Sequence, residues 1–252
     1  MRYLAKRQEK HGVHSPFVYD LMTLHLPRKK QFACFGDIEF QREKMLENDS
    51  LITVVDLGAG STLNQSQQKK ISTIAAISSK PRVQAQVFFK IANLLQPHTI
   101  LELGTNLGLT TSYLAKACPN AQVVTIEGSK ILAEIAKENI HSCGCTNVKV
   151  VVGSFDQNLD HELTKLKSVG MAFIDGNHQE EATLLYWSQI TKYCDEMSIV
   201  IVDDIYWSKG MNNAWNRIKQ QSEVSLSLDF FHFGVIFFYN GIEKQHFTLK
   251  IP

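Results

Sequence analysis

Thr99-Ile-Leu-Glu-Leu-Gly-Thr-Asn-Leu-Gly-Leu-Thr-Thr-Ser-Tyr-Leu114 is the stretch that decides how this chain folds. Ile100, Leu101 and Leu103 read as a buried strand. Gly104 and Gly108 bracket a turn, and Tyr113 and Leu114 fall on a following helix. Glycine there lets the backbone take positive φ and lets a ligand approach the main chain. The helix start then offers N–H groups that no carbonyl of the helix can satisfy. Open α/β sheets bind their ligands at such turns, beyond the carboxyl ends of strands. The spacing is Gly-x-x-x-Gly, not the Gly-x-Gly-x-x-Gly of dinucleotide binding, which counts against a nicotinamide enzyme.

The same grammar repeats downstream. Val123-Val-Thr-Ile-Glu127 is a second apolar strand, and its closing acid lies 23 residues after Gly104. A carboxylate at that strand tip can accept ribose hydroxyls. Val148-Lys-Val-Val-Val-Gly153 is a third strand, followed by Ser154-Phe-Asp156. Met171-Ala-Phe-Ile-Asp175 is a fourth, leading into Gly-Asn-His178, and Ser198-Ile-Val-Ile-Val-Asp203 is a fifth, leading into Asp204. One acid after one strand is explained by a helix N-cap; a series of four is not. Helical patterns separate the strands, one beginning at Ser129 and others over 180–193 and 207–220. Alternation of this kind predicts a parallel sheet with helices on both faces. Residues 224–233, 234–239 and 246–251 read as strands with short connections, so they should run antiparallel to some neighbours.

Upstream, a helix opened by Pro81 carries Val83, Val87, Phe88, Ile91, Leu94 and Leu95 as one apolar stripe, and Pro97 ends it. Residues 1–80 differ in character. Ser15-Pro16 is a helix start, with Phe17, Leu21 and Leu24 at helical spacing and Leu26-Pro27 as the stop. Residues 37–48 read as a surface helix with Ile38, Met45 and Leu46 on its apolar side. Val54-Val-Asp-Leu-Gly-Ala-Gly60 imitates the turn at Gly104, but a polar stretch follows it, with no second strand and acid at the proper distance. The expected division is therefore an N-terminal, mainly helical extension at 1–80, a candidate lid or dimerisation element, and an α/β domain at 81–252.

A chain of 252 residues with 44% hydrophobic and 20% charged residues has the make-up of a globular protein. A net charge of +1 offers nothing to capture nucleic acid or an anionic membrane. No apolar run is long enough to span a bilayer, and the first ten residues have no signal-peptide core. Cys34, Cys118, Cys143, Cys145 and Cys194 are odd in number and lack Cys-x-x-Cys pairs, which argues against a disulfide framework or a structural zinc site. The expectation is a cytoplasmic protein.

With Glu102 two residues before the first glycine, the turn resembles the cofactor loop of class I S-adenosylmethionine-dependent methyltransferases. The strand series over residues 80–252 resembles that family's Rossmann-like fold, a seven-stranded, mostly parallel sheet with a C-terminal antiparallel hairpin. The closest match within the class is the small-molecule O-methyltransferase branch related to catechol and caffeoyl-coenzyme A methyltransferases. The resemblance implies S-adenosylmethionine as cofactor, with Glu102 and Gly104 at its methionine end and Thr105, Asn106 and Gly108 touching it through the turn. It implies Glu127 on the ribose, Phe155 and Asp156 about the adenine, and Asp175 below the sulfonium.

Catechol-type relatives hold magnesium or calcium through an acid of the fourth strand and an Asp-Asn pair after the fifth. The matching positions are Asp175, Asp203 and Asp204, with Asp204 standing where the family has Asn. Three oxygen ligands suit a hard cation. The family's lysine base is replaced by His178, an imidazole able to deprotonate a hydroxyl. In a metal-independent-looking branch with a similar Asp-Gly-Asn-His run, His178 would act alone. Tyr206, Trp207, Met211 and Trp215 could wall an aromatic acceptor pocket, although helical spacing also places such residues in a core. His11 and His14 precede the first helix, as surface or capping residues or as acceptor contacts.

The expected function is thus methylation of a small hydroxylated acceptor, with catalytic His178 and Asp175. Two alternatives stand beside it: a non-catalytic cofactor-binding or interaction module, and a methyltransferase of nucleic acid or protein. The fourth strand ends Asp-Gly-Asn-His and not in the Asn/Asp-Pro-Pro-aromatic motif of amino-directed enzymes. No Pro-Cys nucleophile or basic patch is present.

Overall fold

The computed structural model describes residues 14–55 and 66–252. The readings of His11 and of the glycine turn at Gly58 and Gly60 lie outside the described residues. The chain forms two compact units: Gln31–Lys165, and the residues up to Lys30 together with Leu166–Pro252.

Helix α1, Pro16–Asp20, starts as the sequence predicts, with Pro16 in its first turn and the Ser15 hydroxyl accepting from the Val18 amide at 3.5 Å. It passes into a π-helical turn, Leu21–His25, closed by Leu26 N–H donating to Leu21 C=O. The wider turn shifts the inward face by a residue. Leu21, Met22 and Leu26 are therefore buried, and Leu24, expected on the apolar stripe, faces solvent.

In the unit Gln31–Lys165, helix α2, Cys34–Leu46, buries Phe35, Ile38 and Met45 together with the polar Gln41. Leu46 is exposed, contrary to its expected place on the apolar side. Strands β1, Leu51–Val55, and β2, Ser66–Lys70, form an antiparallel hairpin with Leu51 opposite Lys70. The polar β2 carries no apolar alternation and so left no strand signal. Helix α3, Ile71–Ser78, follows and was also unanticipated. Helix α4, Arg82–Leu95, starts after Pro81 and buries Val87, Phe88 and Ile91. It ends where Gln96 turns to φ 48° and its N–H returns to Ala92 C=O. Strand β3, Thr99–Leu103, helix α5, Leu109–Ala117, strand β4, Gln122–Glu127, helix α6, Lys130–Ser142, and strand β5, Val148–Val152, then alternate, and helix α7, Phe155–Leu166, follows. The strands lie in the order β3-β4-β5, all parallel, with Glu102 opposite Thr125 and Glu127 opposite Val152.

In the other unit, strand β6, Met171–Ile174, is followed by helix α8, Glu180–Ile190, strand β7, Ile199–Asp203, and helix α9, Lys209–Gln220. Strands β8, Leu226–Asp229, β9, Phe233–Phe237, and β10, Gln245–Thr248, complete it. The order is β6-β7-β9-β8-β10. The β6–β7 and β8–β10 pairings are parallel, and β9 is antiparallel to both β7 and β8. Every residue of β6 and β7 is buried, as expected of strands covered on both faces. The result is the expected α/β fold: mostly parallel pairing, N-terminal helices and C-terminal antiparallel strands. Among the described residues no helix is long and apolar enough to cross a membrane.

One boundary moves. The sequence suggests a strand over 224–233, but the turn falls at Phe230–His232 and Phe233 opens β9. A buried carboxylate makes that turn without glycine: Asp229 Oδ1 accepts the Phe231 N–H at 2.9 Å, and Phe231 takes φ 73°. Gly234, within β9, is a packing residue. A Cβ there would lie 2.2–2.6 Å from three ring carbons of the buried Trp215.

Candidate active site

In the unit Gln31–Lys165 the β3–α5 turn is built on left-handed backbone. Gly104, Asn106 and Gly108 have φ of 101°, 50° and 76°. The Gly104 N–H donates to Ile126 C=O, joining the turn to β4. Gly108 leaves no room for a side chain: a Cβ would meet Ala136 C=O and Ile140 Cγ1 of α6 at 3.0 Å each. Its glycine therefore makes room for α6.

Glu102 is fully buried, and its Oε2 accepts hydroxyl hydrogen bonds from Thr111 of α5 and Thr125 of β4. The Thr105 and Thr125 hydroxyls lie 2.6 Å apart, extending that network into the turn. A buried carboxylate needs such donors to offset its lost hydration. Glu127, half-buried at the tip of β4, accepts the Asn106 N–H at 2.8 Å on one oxygen and the Ser129 N–H at 2.9 Å on the other. Those bonds fix its carboxylate at the strand tip. Asn106 Nδ2 donates to Ser78 C=O at 2.8 Å. Asn106 Oδ1 and Ser79 Oγ are shielded from solvent without hydrogen-bond partners, which fits a polar ligand at this turn. Phe155, half-buried, and Asp156, exposed, open α7 just past Gly153, whose φ is 133°.

In the other unit, β6 ends before Asp175, and β7 ends on Asp203. His178 Nε2 lies 3.9 Å from Asp175 Oδ1 and 3.7 Å from Asp204 Oδ2. These three residues could share an ion, since their ligand atoms all fall within 4.8 Å of one another. Asp203 is buried in β7 and is not in this group. Asp204 instead turns to φ 52° as β7 ends, carrying its carboxylate toward His178. The cluster among the described residues thus pairs two of the expected oxygen ligands, Asp175 and Asp204, with the His178 imidazole, a mixed donor set less suited to a hard cation than three oxygens.

Beyond Asp204 the turn closes through Trp207 N–H donating to Asp204 C=O at 2.9 Å. Tyr206 stacks on Phe231, ring centroids 5.4 Å apart at 20°, and its hydroxyl donates to Asp229 Oδ2 at 2.7 Å. Trp207 is 74% exposed and Phe231 41% exposed, whereas Met211 and Trp215 are buried. Of the aromatic wall suggested by sequence, Tyr206 and Trp207 lie in the turn that follows Asp204, and Met211 and Trp215 belong to the core. Phe231 was missed, since nothing local marks it. His14 is exposed.

Comparison with known proteins agrees with this arrangement. A family profile described as a methyltransferase domain matches residues 101–205. A catechol O-methyltransferase from Mycobacterium tuberculosis is 25% identical over 170 residues, 65% of this chain and 71% of that protein. The O-methyltransferase TomG from Streptomyces achromogenes, solved in complex with S-adenosylmethionine, aligns with a TM-score of 0.58 at 18% identity, covering 92% of this chain and 100% of that one. The Podospora anserina methyltransferase PaMTH1, solved bound to S-adenosylhomocysteine, aligns with a TM-score of 0.62 at 14% identity, covering 90% and 98%. At such identities the structural likeness is one of fold. Together these findings define a class I S-adenosylmethionine-dependent methyltransferase. Within that class its sequence similarities run to small-molecule O-methyltransferases such as the catechol enzyme.

Proposed function

We propose that this enzyme methylates a hydroxyl group of a small, flat, hydroxylated acceptor, with His178 as general base. The observation that carries the reading is His178 Nε2 between the carboxylates of Asp175 and Asp204. Bound S-adenosylmethionine supplies an electrophilic methyl group on a sulfonium. Its methyl group would pass to the acceptor oxygen as the C–S bond breaks, leaving S-adenosylhomocysteine. The acceptor proton passes to His178 Nε2. Asp175 and Asp204, at 3.9 and 3.7 Å, balance the charge the imidazole gains. No step requires a metal ion.

Cofactor holding falls to the other unit. Gly104, Thr105 and Asn106 offer the turn, Glu127 takes the ribose hydroxyls, and Phe155 and Asp156 flank the adenine. The resemblance assigns Asp175 to the methyl-donor end. Glu102 and Gly108 support the turn from within. Tyr206, Trp207 and Phe231 offer ring faces to a planar acceptor.

Calorimetric titration with S-adenosylhomocysteine tests the cofactor assignment. The unaltered protein is expected to bind saturably, and Glu127→Ala to bind at least about tenfold more weakly, since hydrogen bonds to a charged group are lost. Equal binding by both proteins would refute the role of Glu127. Turnover unaffected by a chelator is the expected mark of metal-free chemistry, and loss of turnover restored by magnesium would overturn it.

A further inference from the structure

The Gly104–Gly108 turn is strained and is held from outside by the segment that precedes the α/β domain. Asn106 keeps a left-handed backbone without being glycine, at a cost that surrounding contacts must offset. Three contacts come from residues 31–80. The Ser78 carbonyl accepts from Asn106 Nδ2. The Leu107 side chain is buried among Met45 of α2, Val54 of β1 and Ile71, Ile74 and Ala75 of α3. The third contact is polar and wholly interior. Gln41 of α2 donates from Nε2 to Asn139 Oδ1 of α6 at 2.7 Å, and Asn139 Nδ2 donates to the Leu107 carbonyl at 2.8 Å.

Gln41, Asn139 and Leu107 are all buried, so water cannot substitute for a lost partner. The chain of amides has one direction. The Leu107 carbonyl can only accept, so Asn139 turns its N–H₂ there and its oxygen toward the Gln41 amide. Gln41 thereby locks the amide orientation that satisfies the turn, although it touches no part of it directly. A separate bond joins α2 to α5, where the Tyr113 hydroxyl donates to Glu39 at 2.7 Å.

We propose that Gln41 and Asn139 are positioning residues for the cofactor turn, and that α2 sets cofactor affinity through them. The proposal rests on the reading of this turn as the S-adenosylmethionine site. The full-length protein, Asn139→Asp, Gln41→Met and Tyr113→Phe are compared by calorimetry with S-adenosylhomocysteine, by urea unfolding, and by hydrogen exchange of the turn amides. Asn139→Asp removes the donor to Leu107 and is expected to weaken binding by at least about tenfold, the scale of an unsatisfied buried acceptor. Gln41→Met keeps the shape, frees the Asn139 amide to rotate, and is expected to weaken binding by about threefold to tenfold. Tyr113→Phe is expected to lower stability and to leave affinity within about twofold. Exchange at the turn amides should quicken in the two relay variants without ligand and return to normal at saturating ligand.

Unchanged affinity in Asn139→Asp would overturn the relay. So would an affinity loss that simply follows stability, equal in Tyr113→Phe. Failure of the unaltered protein to bind would remove the cofactor reading and the relay together, and it is distinguishable because it appears before any substitution. Should Asn139→Asp fail to fold, Gln41→Met carries the decision.

Discussion

His178 and Glu102 are both polar groups close to carboxylates or hydroxyls, yet their surroundings assign them opposite work. His178 is half-open to solvent between Asp175 and Asp204, where a proton can arrive and leave. His178→Asn is expected to lower turnover of a phenolic acceptor by about 10²- to 10⁴-fold, the usual weight of a general base, with S-adenosylhomocysteine affinity unchanged. A methyl-transfer assay beside the calorimetric titration checks both halves; equal losses in each would make His178 a structural residue. Glu102 is sealed from solvent and answers two threonine hydroxyls. Glu102→Ala strands the Thr111 donor while Thr125 keeps Thr105, so urea unfolding should register a loss of about 1–3 kcal/mol.

At the scale of elements, the β8–β9 turn trades stability for an exposed ring. A non-glycine residue in left-handed backbone costs about 1–2 kcal/mol, and Phe231 has φ 73° while remaining substantially exposed. Asp229 holds it there through its N–H and through the stacked Tyr206. Phe231→Gly is expected to leave the protein as stable or up to about 1 kcal/mol more stable, while raising the KM for an aromatic acceptor. Thermal melting and acceptor kinetics together decide it, and a stability loss without a KM change would make Phe231 a packing residue. Two residues on, the reverse holds. Gly234→Ala drives a methyl group into the Trp215 ring and should cost about 1–3 kcal/mol of overpacking, visible as a lower unfolding midpoint.

Across the whole molecule the five cysteines are free thiols. Burial pushes Cys118 and Cys194 up to about 12 and Cys145 up to about 11, and it raises Cys34 and Cys143 as well. Each folded value exceeds the unfolded one, near 8.5. Between the two values the folded state binds more protons than the unfolded state, so stability falls as pH rises. The contribution is complete below about pH 8.5 and is lost on passing toward pH 11–12. A melting series should therefore be flat near neutrality and decline in alkali. Cys118→Ala should shallow that decline, and an unchanged slope would refute the assignment. Folded protein should also react slowly with thiol reagents at pH 8, since the thiolate is the nucleophile.

Sequence by itself determined the strand-turn-helix at Thr99–Leu114, the acids at the strand tips, the parallel alternation and hence the methyltransferase class. Those signals are local: apolar runs, glycine spacing and end residues reside within a few positions of each other. Tertiary structure alone decided which acid meets His178. Asp203 and Asp204 are adjacent and chemically identical, and only the end of β7 and the left-handed turn at Asp204 separate a buried carboxylate from one beside the imidazole. It likewise decided that Gly108 and Gly234 make room for a helix and a tryptophan. The turn without glycine at Phe231 and the Gln41–Asn139 bond, between residues 98 positions apart, came from the same source. Hydrogen bonds and steric limits between distant segments leave no periodicity in a chain; they exist only once packing has brought their partners into reach.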